Sequence, residues 1–106
     1  MTKEATITLL GITGKRYSFD IYPWGARPLN IGGAVYAVLE GNLTDYYVLY
    51  IGETAQLRTV FDDHPKHACF DLHGKTHMAV HPEASEAKRL TVEANLLTQY
   101  HPICNI

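Results

Sequence analysis

Two tyrosines and a histidine, Tyr36, Tyr50 and His64, are spaced so that simple local structure would bring them together. Phenol and imidazole groups hold water or phosphate oxygens by hydrogen bonding and can pass protons. A second set, His64, His67, Cys69, His73 and His77, offers the nitrogen and sulfur donors that Zn²⁺ prefers. Its spacing is poor for zinc. There is no Cys-x-x-Cys pair, and His73-x-x-x-His77 is interrupted by Gly74 and runs into an expected strand. Six histidines would otherwise face solvent or a cleft and lend the protein sensitivity near neutral pH.

The elements that must position these groups lie between Ile31 and His64. Gly33–Leu39 and Tyr46–Ile51 are apolar, β-rich runs separated by the turn-prone Glu40–Asp45, which predicts a hairpin. After Gly52, the stretch Leu57–His64 has no Gly or Pro until Pro65 and is expected to be helical. A strand pair followed by that helix carries Tyr36, Tyr50 and the face bearing Val60 and His64 towards one place. Tyr36, Tyr47 and Tyr50 also suit apolar strands by packing alone, so position in the chain has to decide their role.

Upstream, Ala5–Leu10 and Lys15–Tyr22 have β character and are joined by the turn Gly11–Gly14, giving an N-terminal hairpin that extends or covers the central sheet. Pro23–Pro28 forms a loop in which Trp24 either anchors on the core or offers a base-stacking surface. Downstream, Pro65–Lys75 allows a short helix stopped by Gly74, and Thr76–His81 reads as a third core strand. The clearest helix runs from Ala84 or Ser85 to about Gln99, with Leu90, Glu93, Leu96, Leu97 and Tyr100 in helical rhythm and Pro102 as its stop.

The chain has 106 residues, 46% of them hydrophobic, which fits one compact unit with one core. That leaves no room for a separate targeting domain beside a catalytic one, so a homodimer or a partner protein would supply any second contact. The net charge of −2 works against a globally basic nucleic-acid binder, although nine Lys and Arg can still form a local basic face. Two cysteines, Cys69 and Cys104, make no disulfide framework, and Met1–Leu10 has neither a basic start nor a long apolar run. The expectation is a soluble cytoplasmic protein without a membrane segment.

Three ordered elements resemble the GIY-YIG nuclease superfamily. Ala34-Val35-Tyr36 stands for the first motif, with Ala in place of the usual Gly, and Tyr50-Ile51-Gly52 matches the second letter for letter. Glu93-Ala94-Asn95-Leu96-Leu97, followed by Pro102 and Asn105, matches the terminal motif. The resemblance implies an α+β fold over residues 31–106, a three-stranded antiparallel sheet flanked by helices, with residues 1–30 as an extra hairpin. It implies divalent-metal-dependent cleavage of nucleic acid, DNA ahead of RNA with both left open, with Mg²⁺ or Mn²⁺ on the Glu93 carboxylate. In similar proteins the tyrosines matching Tyr36 and Tyr50 place or deprotonate the attacking water, and a His matching His64 assists proton transfer or phosphate contact. Asn105 would be structural.

One expected part is absent. Similar nucleases carry a phosphate-binding Arg ten residues after the first Tyr of Tyr-Ile-Gly, and this chain has Val60 there. Arg58 and Arg89 are the candidate phosphate-binding replacements. Two residues along an α-helix is a turn of about 200°, which would aim Arg58 away from the face of Val60 and His64. Arg89 lies one turn before Glu93, where the two would pair. Three functions follow: an attenuated nuclease, a degenerate relative that binds nucleic acid or protein, and a zinc-binding structural protein.

Overall fold

Residues 3–26, 31–42 and 45–106 are described by a computed structural model. Part of the expected Pro23–Pro28 loop and the centre of the Glu40–Asp45 turn lie outside the described residues.

The fold is α+β, and its sheet has five strands rather than three. β1 (Ala5–Leu10), β2 (Arg16–Pro23), β3 (Ala34–Asn42), β4 (Asp45–Thr54) and β5 (His77–Pro82) form one antiparallel sheet in the order β1-β2-β5-β3-β4. The N-terminal hairpin therefore continues the sheet, because β2 pairs with β5 from Asp20↔Val80 to Pro23↔His77. Strand alternation explains the join. Tyr17, Phe19 and Ile21 of β2 point to the same buried face as Val35, Ala37 and Ala79, so adding the hairpin extends an apolar surface that a three-stranded sheet would leave partly uncovered.

Helix α2 (Glu86–Tyr100) closes that face with Val92 and Leu96. Ser85 caps it by accepting from the Lys88 amide, and the Glu83 carboxylate accepts from the Ser85 amide. The buried stripe runs Arg89–Val92–Leu96, and Leu90, part of the rhythm by which the helix is read, is 49% exposed. Asn95 fastens the helix to the β1–β2 turn. Its side chain accepts from the Thr13 amide and donates to the Thr13 and Tyr17 hydroxyls. No helix among the described residues is long and apolar enough to cross a membrane.

The other face of the sheet is covered by irregular chain. The expected Leu57–His64 helix is a single 3₁₀ turn, Leu57–Thr59, followed by turns to Asp63, and regular α-helix appears only in α1 (His67–Leu72), which stops before Gly74. Absence of Gly and Pro permits a helix without requiring one. Here Leu57, Val60 and Phe61 have to meet a sheet surface made by Tyr22, Ala34, Tyr36, Met78 and Val80, and that packing outweighs weak helical propensity. Trp24 lies half-buried in this layer, 4.7 Å from the Phe61 ring centre and 6.0 Å from that of Phe70, so it anchors its loop on the core.

Cys69 of α1 is bonded to Cys104 in the short C-terminal 3₁₀ turn Ile103–Asn105. This corrects the expectation that the two cysteines make no disulfide framework: they are 35 residues apart, and only tertiary packing brings their Cα atoms to 5.8 Å.

Candidate active site

Tyr36 and Tyr50 come from adjacent strands and share a face. Tyr36 is opposite Gly52, and Val38 is opposite Tyr50, so the two phenols are diagonal neighbours with ring centres 6.0 Å apart. A register shift between Val38 and Leu39 places Leu49 on the bulge, turning both Leu49 and Tyr50 towards the α1 side. The glycine of Tyr-Ile-Gly has a steric reason: a Cβ at Gly52 would sit 2.7 Å from the Tyr36 Cζ and hydroxyl oxygen and 2.8 Å from Tyr50 Cε2.

His64 meets the pair from the turn before α1. Only 7% exposed, it is enclosed by Phe61, Phe70, Tyr36 and Tyr50, with ring centres 4.9–6.0 Å away. The Lys66 amide donates to His64 Nδ1 at 3.0 Å, so the neutral ring carries its proton on Nε2 and donates to the Tyr36 hydroxyl oxygen at 2.8 Å. Burial, helped by the charges of His67 and Lys66, holds the imidazole pKa below its usual value. The Tyr36 pKa is pushed strongly upward, first by burial, then by Tyr50, with Glu93 and Glu53 adding to it. Tyr36 therefore stays a phenol. A neutral, oriented row His64–Tyr36–Tyr50 results.

The charge of Glu93, on α2, is felt at both Tyr36 and Tyr50. Its carboxyl pKa is raised, chiefly by burial and then by the charge of Glu53, against which the Glu53 backbone amide works as a donor. Glu53 follows Gly52 directly, and sequence reasoning does not single it out; its place beside Tyr-Ile-Gly is the signal that could have exposed it. Glu53 is paired with Arg89, Oε1 to Nε at 3.4 Å, whereas Glu93 has no cationic partner among the described residues. With Arg89 committed to Glu53, the Glu93 carboxylate is the group of this set that could hold a hard cation. Among the described residues no group of three or more His, Cys, Asp or Glu converges to hold a metal ion.

The cationic candidates fall elsewhere. Arg89 is buried, and it commits Nη1 to the Glu83 and Ala84 carbonyls and Nε to Glu53, so the expected i to i+4 pairing with Glu93 is replaced by a cross-element one. Arg58 is exposed on the 3₁₀ turn, where the α-helical angle assumed for it does not apply. Val60 packs with Tyr36, Tyr50 and Leu57 as an apolar wall. Asn105 bonds both the amide and the carbonyl of Ile51 at 2.9 Å, completing the outer edge of β4 behind Tyr50.

The five residues considered for zinc are dispersed. His64 serves Tyr36, Cys69 is in the disulfide, His67 approaches Asp71, His73 ends α1, and His77 lies between Thr76 and Glu4. A disulfide sulfur is no longer a thiolate ligand, which removes the only soft donor from that set.

No family, curated protein or solved structure matches the chain. What the protein can do rests on the chemistry of the site.

His64 gives a direct check. Its folded pKa is depressed, so the stability it contributes is complete above the unfolded value near 6.5 and is lost as pH falls through the folded value. In an NMR titration His64 should protonate below its unfolded value of about 6.5. Thermal midpoints of the wild type should fall more steeply below about pH 6.5 than those of His64→Gln. A His64 midpoint above 6.5 would contradict the buried, neutral ring.

Proposed function

We propose that this protein is a GIY-YIG-type phosphodiester hydrolase that uses a divalent cation at Glu93, acting on nucleic acid with DNA preferred, at an attenuated rate. The observation that carries this reading is that Tyr36, Tyr50 and His64 pack together from three separate segments, with the charge of Glu93 from a fourth acting on both phenols. Such convergence is not needed for packing, since a half-buried carboxylate beside two phenols is costly unless something uses it.

His64 donates to the Tyr36 hydroxyl oxygen and so leaves the Tyr36 proton for an outside acceptor. The Tyr50 oxygen, half-exposed, is then the group that aligns the attacking water, while the Tyr36 hydroxyl steadies a phosphate oxygen. A phenolate base at Tyr36 does not fit this site, because burial and two acidic neighbours oppose its ionisation. Mg²⁺ or Mn²⁺ held by Glu93 would supply charge stabilisation and a more acidic water. Val60 supplies neither charge nor hydrogen bonds where similar nucleases use Arg, which is the reason for attenuation. The same valine favours a second reading, a binding module that has kept the fold and lost the reaction.

Labelled single-stranded, double-stranded and branched DNA and RNA, incubated with Mg²⁺ or Mn²⁺, separate the two. Cation-dependent cleavage that falls by about 100-fold or more in Glu93→Ala supports the hydrolase. No cleavage by folded protein supports the binding module, and cleavage unchanged in Glu93→Ala overturns the assigned site.

A further inference from the structure

The nine Lys and Arg residues are not spread evenly in their pairing. Lys3 pairs with Asp20, Lys75 with Asp71 and Arg89 with Glu53, Lys66 donates to the Ile106 carbonyl, and Arg58 also interacts within the fold. Arg27 lies outside the described residues. The remaining three, Lys15, Arg16 and Lys88, meet no carboxylate among the described residues, and all three line one cleft of about 510 Å³. In a chain of net charge −2, collecting these unpaired described cations at one concave place leaves a positive site that binding an anion would relieve.

The cleft lies between the start of β2 and the first turns of α2. Its floor is Tyr17 and Val92, both nearly buried, and both held in place by the main core. Tyr17 is fixed further by the Asn95 amide at 2.8 Å, and Lys15 lies 5.8 Å from the centre of its ring. His81 forms one wall. Its Nδ1 is 2.9 Å from the Ser18 carbonyl and so donates there, leaving Nε2 for a ligand. The one carboxylate in the lining, Glu83, accepts from the Ser85 amide and belongs to the cap of α2. The volume falls within the range of small-molecule sites, and the fork of Arg16 beside two ammonium groups suits phosphate oxygens.

We infer that this cleft binds a small phosphate-bearing polyanion of about nucleotide size, at a site separate from the Tyr36–Tyr50–His64 cluster. The separation follows from strand alternation. Val80 pairs with Tyr36 and packs on the tyrosine face, so its neighbour His81 points to the opposite, α2 face. A single strand of nucleic acid lying on the tyrosines does not reach it directly. The inference therefore stands independently of the proposed cleavage.

The test is an NMR titration of the full chain with pyrophosphate, ADP and ATP at physiological salt, with sulfate for comparison. Expected are saturable shifts centred on Tyr17, His81, Lys88 and Thr91, tighter for the phosphate chains than for sulfate, and weakened about tenfold or more in Lys15→Ala/Arg16→Ala/Lys88→Ala. All three side chains are exposed, so the variant should keep its fold, which an unchanged melting curve confirms. Shifts centred on Tyr36 and Glu93, affinity unchanged in the triple variant, or absence of saturable binding to any of the three phosphate ligands would overturn the inference. Binding restricted to long oligonucleotides would also overturn it.

Discussion

Replacing Arg89 by Met should lower stability by about 3–5 kcal/mol, a fall in melting temperature on the order of 15 °C or more for a domain of this size. The side chain is 4% exposed and joins three acceptors: the Glu53 carboxylate and the carbonyls of Glu83 and Ala84. Met fills much of the volume but leaves the Glu53 carboxylate without its cation and exposed to the charge of Glu93, so the loss is electrostatic before it is steric. The variant Arg89→Lys keeps the charge but not the planar fork, and it should recover only part of the loss. Adding Glu53→Gln to Arg89→Met should return stability, since the uncompensated carboxylate is gone. Urea and thermal unfolding of the wild type and these three variants measure this. A loss under about 1 kcal/mol for Arg89→Met would mean that the pair behaves as a solvated surface pair. Gly33 belongs to the same arrangement: a Cβ there would sit 2.4 Å from Arg89 Nη1 and 2.7 Å from the Glu83 carbonyl.

Gly52→Ala should damage the candidate site more than any other single methyl group. The added carbon would overlap the end of the Tyr36 ring, and that ring is backed by Phe61, 5.3 Å away edge to face, and tied to His64. Relief requires Tyr36 to swing off its rotamer, which breaks the His64 bond and costs about 1–3 kcal/mol. Tyr36→Phe would not relieve the clash, because the ring carbon Cζ remains. Tyr36→Leu would. Gly52→Ala should therefore be costly in the wild type and in Tyr36→Phe, and less costly in Tyr36→Leu, where only the close approach to Tyr50 Cε2 remains. Melting curves of these pairs, with the His64 ring resonances as a local reporter, decide it. Equal cost in all three backgrounds would place the steric conflict elsewhere.

The elements behind both effects differ in how far local pattern exposes them. The five strands and α2 are legible because alternation in Tyr17–Ile21, apolar runs around Gly41 and Gly52, and the Pro82–Pro102 bracket are local features. Each is enforced by backbone geometry within a few residues. Tyr36, Tyr50 and Glu93 can be placed in order along those elements, and their positions at strand and helix faces follow from periods of 2 and 3.6. The Leu57–His64 stretch misleads for the complementary reason: it lacks helix breakers, yet its conformation is set by what Leu57, Val60 and Phe61 must cover.

Residue order alone thus suffices for the five strands, for α2, for the α+β class and for naming Tyr36, Tyr50, His64 and Glu93 as candidates. Long-range packing is needed to learn that the hairpin joins β5 to make one five-stranded sheet, that Cys69 meets Cys104, and that Arg89 answers Glu53 rather than Glu93. The same holds for His64 as a buried Nε2 donor and for the cleft shared by Lys15, Arg16 and Lys88. The physical reason is range. Periodicity and turn chemistry act over a few residues, whereas pairing, desolvation and charge depend on partners tens of residues away, which no local pattern encodes.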